Sequence, residues 1–118
     1  MLIAIHCRGF PLTDAIEDHV HNRLGFALAR GGSRVGRVVV RLSDLNGPQG
    51  GIDKRCLIEI RLDGLPTVVV EDVESDLYTA IDRAVGRAGR TVMRRLALDS
   101  TRRSSAAAMH AHRWLYEL

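Results

Sequence analysis

Four arginines, Arg83, Arg87, Arg90 and Arg94, follow one another at intervals of four, three and four along the stretch Leu77 to Leu96. That is the period of an α-helix, so the spacing places four guanidinium groups in one row on one face. A solvated face ordinarily mixes signs, because like charges one turn apart cost roughly 0.2–0.5 kcal/mol per pair. Here the only acid inside the stretch is Asp82. An unneutralised row of planar, permanently charged forks suits an external polyanion, and phosphate oxygens fit the fork in particular. The same row is also compatible with an ordinary solvated surface in an arginine-rich chain.

Covalent and metal chemistry find less support. His6 and Cys7 are neighbours in a strand-like run and point to opposite faces, and no Cys-x-x-Cys or His-x-x-x-His pair accompanies them. His19 and His21 are two apart on a helical stretch and share no face. His110 and His112 could chelate only weakly, in an extended tail. Asp44, Asp53 and Asp63 have turn settings, and Gly47-Pro48-Gln49-Gly50-Gly51 lacks the strand-to-helix context of a phosphate loop. No nucleophile with a base, and no paired acids, suggest an enzyme. Neither a metal nor a cofactor is expected. Cys7 and Cys56 read as reduced, packed thiols of a cytosolic protein, with no signal peptide and no long apolar run.

Positioning the arginine row requires a seated helix. Leu77, Ile81, Ala84, Val85, Ala88, Val92 and Leu96 fall in one arc of the same stretch, opposite the arginines. Tyr78 borders that arc and is expected to be buried in the first turn. Upstream, Leu2–Arg8 is β-prone and ends at Gly9 and Pro11. Thr13 is placed to cap a helix from Asp14 to about Arg30, with Ile16, Val20, Leu24, Ala27 and Leu28 as its apolar stripe and Gly31-Gly32 as its stop. Arg37–Ser43 alternates as a second strand with one wet side. After a glycine-rich loop from Asp44 to Gly51, Arg55–Leu62 alternates again, with Cys56, Ile58, Ile60 and Leu62 on one face. Asp63-Gly64 reads as a two-residue hairpin turn, and Leu65–Glu71 as the returning strand, with Pro66 near its start suggesting an edge. Asp72 to Asp76, with Ser75, offer caps for the second helix.

This order predicts an α+β fold: a two-layer β-α-β-β-β-α sandwich, a four-stranded sheet with two helices on one face. A right-handed first crossover makes strands one and two parallel and leaves the other pairs antiparallel. With 118 residues the chain suits one domain, assigned to residues 1–98. Asp99–Ser105 reads as a polar stop, so residues 99–118 form a tail in which Trp114 and Tyr116 are candidates for stacking or docking. The formal charge of +3 is uneven, since residues 77–103 hold 7 basic and 2 acidic groups and residues 1–76 hold 9 and 11. The basicity therefore belongs to the second helix and the segment just after it.

Two stretches, Leu12-Thr13-Asp14-Ala15-Ile16 and above all Asp76-Leu77-Tyr78-Thr79-Ala80-Ile81-Asp82-Arg83, resemble the ribosome hibernation-promoting factor and ribosome-associated inhibitor family over about residues 1 to 98. The resemblance is to the short form, in which no dimer-forming domain follows. It implies a cytoplasmic bacterial protein that binds the small ribosomal subunit through ribosomal RNA under stress and inhibits translation by occupying the channel of messenger and transfer RNA. By position, Arg87, Arg90 and Arg94 match basic residues of the family's last helix, and Arg23 one of its first. Arg83, at the head of the row, and Arg95, beside Arg94, complete the candidate RNA-binding set. The pattern departs from the family at Gly25 and Phe26, where members often carry further lysines, and in a longer loop before Arg55. A second reading keeps the basic helix but gives it an acidic protein partner, with self-association through a strand edge as a further option. A double-stranded RNA module fits less well, because the basic run expected near its last helix is missing.

Overall fold

The strands form where apolar and polar residues alternate, and the pairing follows that alternation. The computed structural model describes residues 1–46 and 52–117, with side chains up to residue 105. Strand β1 (Leu2–Arg8) pairs in parallel with β2 (Val35–Asp44). Strand β3 (Lys54–Leu62) pairs antiparallel with β2 and with β4 (Val68–Glu74), giving the order β1-β2-β3-β4. Val38, Val40 and Leu42 of β2 lie across from Ile60, Ile58 and Cys56 of β3, and all six are buried. The next residues along each strand turn the other way, leaving Arg37, Arg41 and Arg61 exposed.

Helix α1 (Asp14–Ala27) starts as its sequence dictates, with Thr13 Oγ1 accepting from the Ile16 N–H at 3.2 Å. It ends three residues before the expected Arg30. The Leu28 N–H closes on the Leu24 carbonyl at 2.9 Å, and Ala29–Arg34 continues as a 3-10 helix. Gly31 is buried there: a side-chain carbon on it would lie 2.4 Å from Val35 Cγ2. Gly32, inside that segment, adopts φ +54° and kinks it.

Helix α2 (Leu77–Glu117) begins at Asp76, whose carboxylate accepts from the Thr79 N–H and the Thr79 hydroxyl, each at 2.9 Å. These bonds hold the Asp76 carboxyl below its usual range. Ala80, Ile81, Ala84, Val85, Ala88 and Val92 are buried beneath the helix, against the sheet and the α1 residues Ile16, Val20 and Leu24. Small residues on that face let the helices approach closely. A carbon on Gly89 would stand 3.2 Å from both Cβ and O of Ala27.

Three further expectations change. The two-residue turn is a five-residue connection, residues 63–67, and β4 begins at Val68 instead of Leu65. Arg34 sets this, donating to the Asp63 carbonyl at 2.8 and 3.1 Å while the Asp63 N–H returns to the Arg34 carbonyl at 2.8 Å. Pro66 therefore precedes the strand, although β4 is an edge of the sheet. The polar segment after Leu98 does not stop α2. No Gly or Pro follows Gly89, and Asp99 is held within the helix by Arg103 and from outside by Arg34, each at 3.1 Å. Tyr78 is not buried but 38% exposed, its ring edge-on to His19 of α1 with centroids 4.8 Å apart. Residues 47–51 of the glycine-rich loop, and the side chains of His110, His112, Trp114 and Tyr116, lie outside the described residues.

Candidate nucleic-acid interface

Seating the apolar arc of α2 turns Arg83, Arg87, Arg90 and Arg94 outward, and all four are exposed. Their neighbours differ. Arg83 Nη1 lies 3.0 Å from Glu74 Oε1, so its charge is already shared with the end of β4. Arg87 Nη1 donates to the Glu71 carbonyl in a short bond of 2.6 Å, which orients the guanidinium without neutralising it. Arg90 and Arg94 make no hydrogen bond or ion pair with any described residue.

Asp82 is the acid that could have broken the row. It faces α1 instead, forming an ion pair with Arg23 Nε at 3.2 Å and lying 2.7 Å from His19 Nε2. Arg23 thereby joins the rim of a shallow depression of about 490 Å³, with Asp72, Asp82, Arg83, Gly86, Arg87 and Arg90 around it. The fold thus gathers Arg23, Arg83, Arg87 and Arg90, and Arg94 continues their line one turn on. Arg95 is turned away. It is half-buried, and its Nη1 donates to the Pro66 and Thr67 carbonyls at 3.3 and 3.5 Å, clasping the β3–β4 connection.

The far face of the sheet is also arginine-rich, yet more of its charge is matched. Arg55 pairs with Glu71 at 2.9 Å and Arg41 with Glu59 at 3.8 Å. Arg30, absent from the candidate set, stands exposed where α1 gives way to the 3-10 helix, beside Arg90 and an exposed Phe26. Its spacing of seven from Arg23 was the available signal, because seven residues return to the same helix face.

The thiols and acids have structural surroundings. Burial, with Asp72 adding to it, pushes the Cys56 thiol up to about 12, and burial raises Cys7 as well. Lys54 Nζ lies 3.0 Å from Asp53 and 3.1 Å from Asp44, a clip across the start of the β2–β3 connection. Its hydrogen bond to buried Asp53 is the main cause that holds this ammonium above its ordinary range. Among the described residues no three His, Cys, Asp or Glu side chains converge as metal ligands, and no helix is long and apolar enough to cross a membrane.

A family model described as sigma 54 modulation protein / S30EA ribosomal protein matches residues 3–97. The chain belongs to that family. It is the family that the opening of α2 resembled, and its members are ribosome-associated. Among solved structures, the N-terminal domain of Thermus thermophilus Protein Y is similar at 34% identity and a TM-score of 0.67, over 80% of this chain and 98% of that one. A ribosomal subunit interface protein from Coxiella burnetii shares the fold at a TM-score of 0.66 and 14% identity, over 82% and 99% of the two chains. No curated protein matches the chain.

Proposed function

We propose that this protein binds the small ribosomal subunit through ribosomal RNA and inhibits translation by occupying the channel used by messenger and transfer RNA. Residues 1–98 form the binding unit, and residues 99–118 extend from it. The observation that carries this reading is the α2 ridge: Arg87, Arg90 and Arg94 stand in register on a rigid helix, and no described carboxylate pairs with them. Family membership supplies the ribosome, and the ridge supplies a means of gripping its phosphates. Occupancy requires no bond-making step, so the protein acts as a ligand and not as an enzyme. Its place of action is the cytoplasm, where ribosomes translate.

The test is co-sedimentation with purified small subunits across a salt series. Retention at low salt is expected, lost steeply as salt rises, and relieved by added messenger and transfer RNA. The Arg87→Ala/Arg90→Ala/Arg94→Ala variant should fail to sediment. Undiminished retention of that variant would refute the role of the ridge. Capture of a protein partner that survives nuclease, without subunit binding, would favour an acidic protein partner instead.

A further inference from the structure

Helix α1 leaves an aromatic ring in water near its end. Phe26 is 87% exposed, in a chain of only 4% aromatic residues. The buried stripe of α1 runs through Ile16, Val20 and Leu24 and continues to Leu28 at its C-cap, and Phe26 lies off that stripe. Arg23 stands one turn before it and Arg30 one turn after.

Opposite, α2 presents Gly86 and Gly89. At Gly89 the two helices touch, and beside that contact the missing side chains leave a groove of about 720 Å³ between them. Phe26, Arg23, Arg30, Arg90 and Met93 line it. Arg23 is matched by Asp82. Arg30 and Arg90 have no partner among the described residues.

A single exposed phenylalanine is unremarkable on a protein surface. An exposed ring set between uncompensated guanidinium groups, in a groove open enough to admit a flat group, is a different arrangement. It matches the two parts of a nucleotide, a base with a π face and a phosphate with fixed negative charge. We propose that this groove takes an unpaired nucleotide of an RNA strand, its base stacked on Phe26 and its flanking phosphates held by Arg30 and Arg90. The proposal rests on the RNA-binding reading above and specifies it: beyond the phosphate ridge, the domain contacts a nucleotide that is out of its helix. Stacking tolerates any base, so the groove selects single-stranded geometry and not sequence.

The test compares Phe26→Ala, Phe26→Tyr and Arg30→Ala in the full chain, by anisotropy with a labelled single-stranded RNA and a blunt duplex RNA. Phe26→Ala should weaken single-strand binding about 5- to 150-fold. Its salt slope should stay at the parent value, because no phosphate contact is lost, and duplex binding should not change. Phe26→Tyr should restore affinity. Arg30→Ala should lower the single-strand slope by about 0.7. Since Phe26 is exposed, the unfolding midpoint of Phe26→Ala should stay near the parent's, separating binding from folding. Parent-like single-strand affinity in Phe26→Ala overturns the proposal. So does an equal loss on duplex, or a change in self-association with RNA binding intact, which would make the groove a protein interface. If subunit retention depends on Arg87, Arg90 and Arg94 but not on Phe26, the groove assignment falls and the ribosomal reading stands. If single strands bind through Phe26 but small subunits are not retained, the ribosomal reading falls alone.

Discussion

Whether a ridge arginine contributes to polyanion binding should depend on what already holds it, and the four differ in that respect. Arg90 and Arg94 meet no described partner, whereas Arg83 is 3.0 Å from Glu74. A phosphate reaching Arg83 must compete with that carboxylate, so the released-counterion gain is only partial. Each unencumbered arginine that neutralises one phosphate adds about 0.7–0.9 to the slope of log affinity against log salt. The Arg90→Ala/Arg94→Ala variant should therefore lose about 1.4–1.8 of slope. Between about 50 and about 200 mM salt, its deficit against the parent should shrink by about 7- to 12-fold. Arg83→Ala should lower the slope by less than half of one full contact. Glu74→Gln, which frees Arg83, should raise it by up to about 0.9. Equilibrium titrations of purified small subunits over a salt series measure all of these. An Arg83→Ala effect as large as that of Arg90→Ala, or a Glu74→Gln variant that binds like the parent, would refute the reasoning from partner state.

Two further substitutions probe the scaffold. Replacing glycine by alanine inside a helix gains roughly 0.5–1 kcal/mol. At Gly86 the added carbon meets only the end of the Arg90 side chain at 3.3 Å, which can move aside, so the midpoint of thermal unfolding should rise by about 2–5 °C. At Gly89 it meets Ala27 backbone at 3.2 Å, and overpacking of roughly 1–3 kcal/mol outweighs the gain. Gly89→Ala should thus melt below Gly86→Ala, and equal midpoints by circular dichroism would contradict the α1–α2 contact. Asp76→Ala removes the cap of α2. Because hydrogen bonds from Thr79 depress the Asp76 carboxyl, its stabilising contribution is present above the ordinary carboxylate range and is lost as pH falls through the depressed value. The difference in midpoint between parent and variant should be clear at neutral pH and narrow in acid; a difference independent of pH would remove the carboxylate from the account.

The strands and the start of α1 were legible because alternation and a capping threonine act within a few residues of themselves. What escaped reading depended on distant partners. Asp63-Gly64 carries the signal of a tight hairpin, yet Arg34 holds the Asp63 carbonyl from 29 residues away and Arg95 clasps the Pro66 and Thr67 carbonyls, so the connection lengthens and β4 shifts by three. The segment after Leu98 looks like a stop by composition, but ion pairs of Asp99 with Arg34 and Arg103 keep it wound. The ridge shows the same division. That four arginines face outward follows from spacing and burial alone. That Glu74 takes up one of them, or that Arg95 serves a turn, follows only from how β4 is placed.

Asp82 explains how a row of like charges can persist on a stable helix. An acid at its position, one residue before Arg83, could have neutralised the ridge; turned toward α1, it joins Arg23 and His19 and binds the two helices together. From Arg87 on, the ridge meets no described carboxylate, and repulsion over its two successive pairs costs roughly 0.4–1 kcal/mol. Burying Ile81, Val85 or Val92 contributes roughly 1.5–3 kcal/mol apiece. The apolar seam therefore exceeds the electrostatic penalty several times over, and the helix is held in place before any ligand arrives. A polyanion that meets this surface finds guanidinium groups already spaced and mutually repelling. Binding then relieves an unfavourable term instead of ordering a loose segment, the preorganisation that lowers the cost of association.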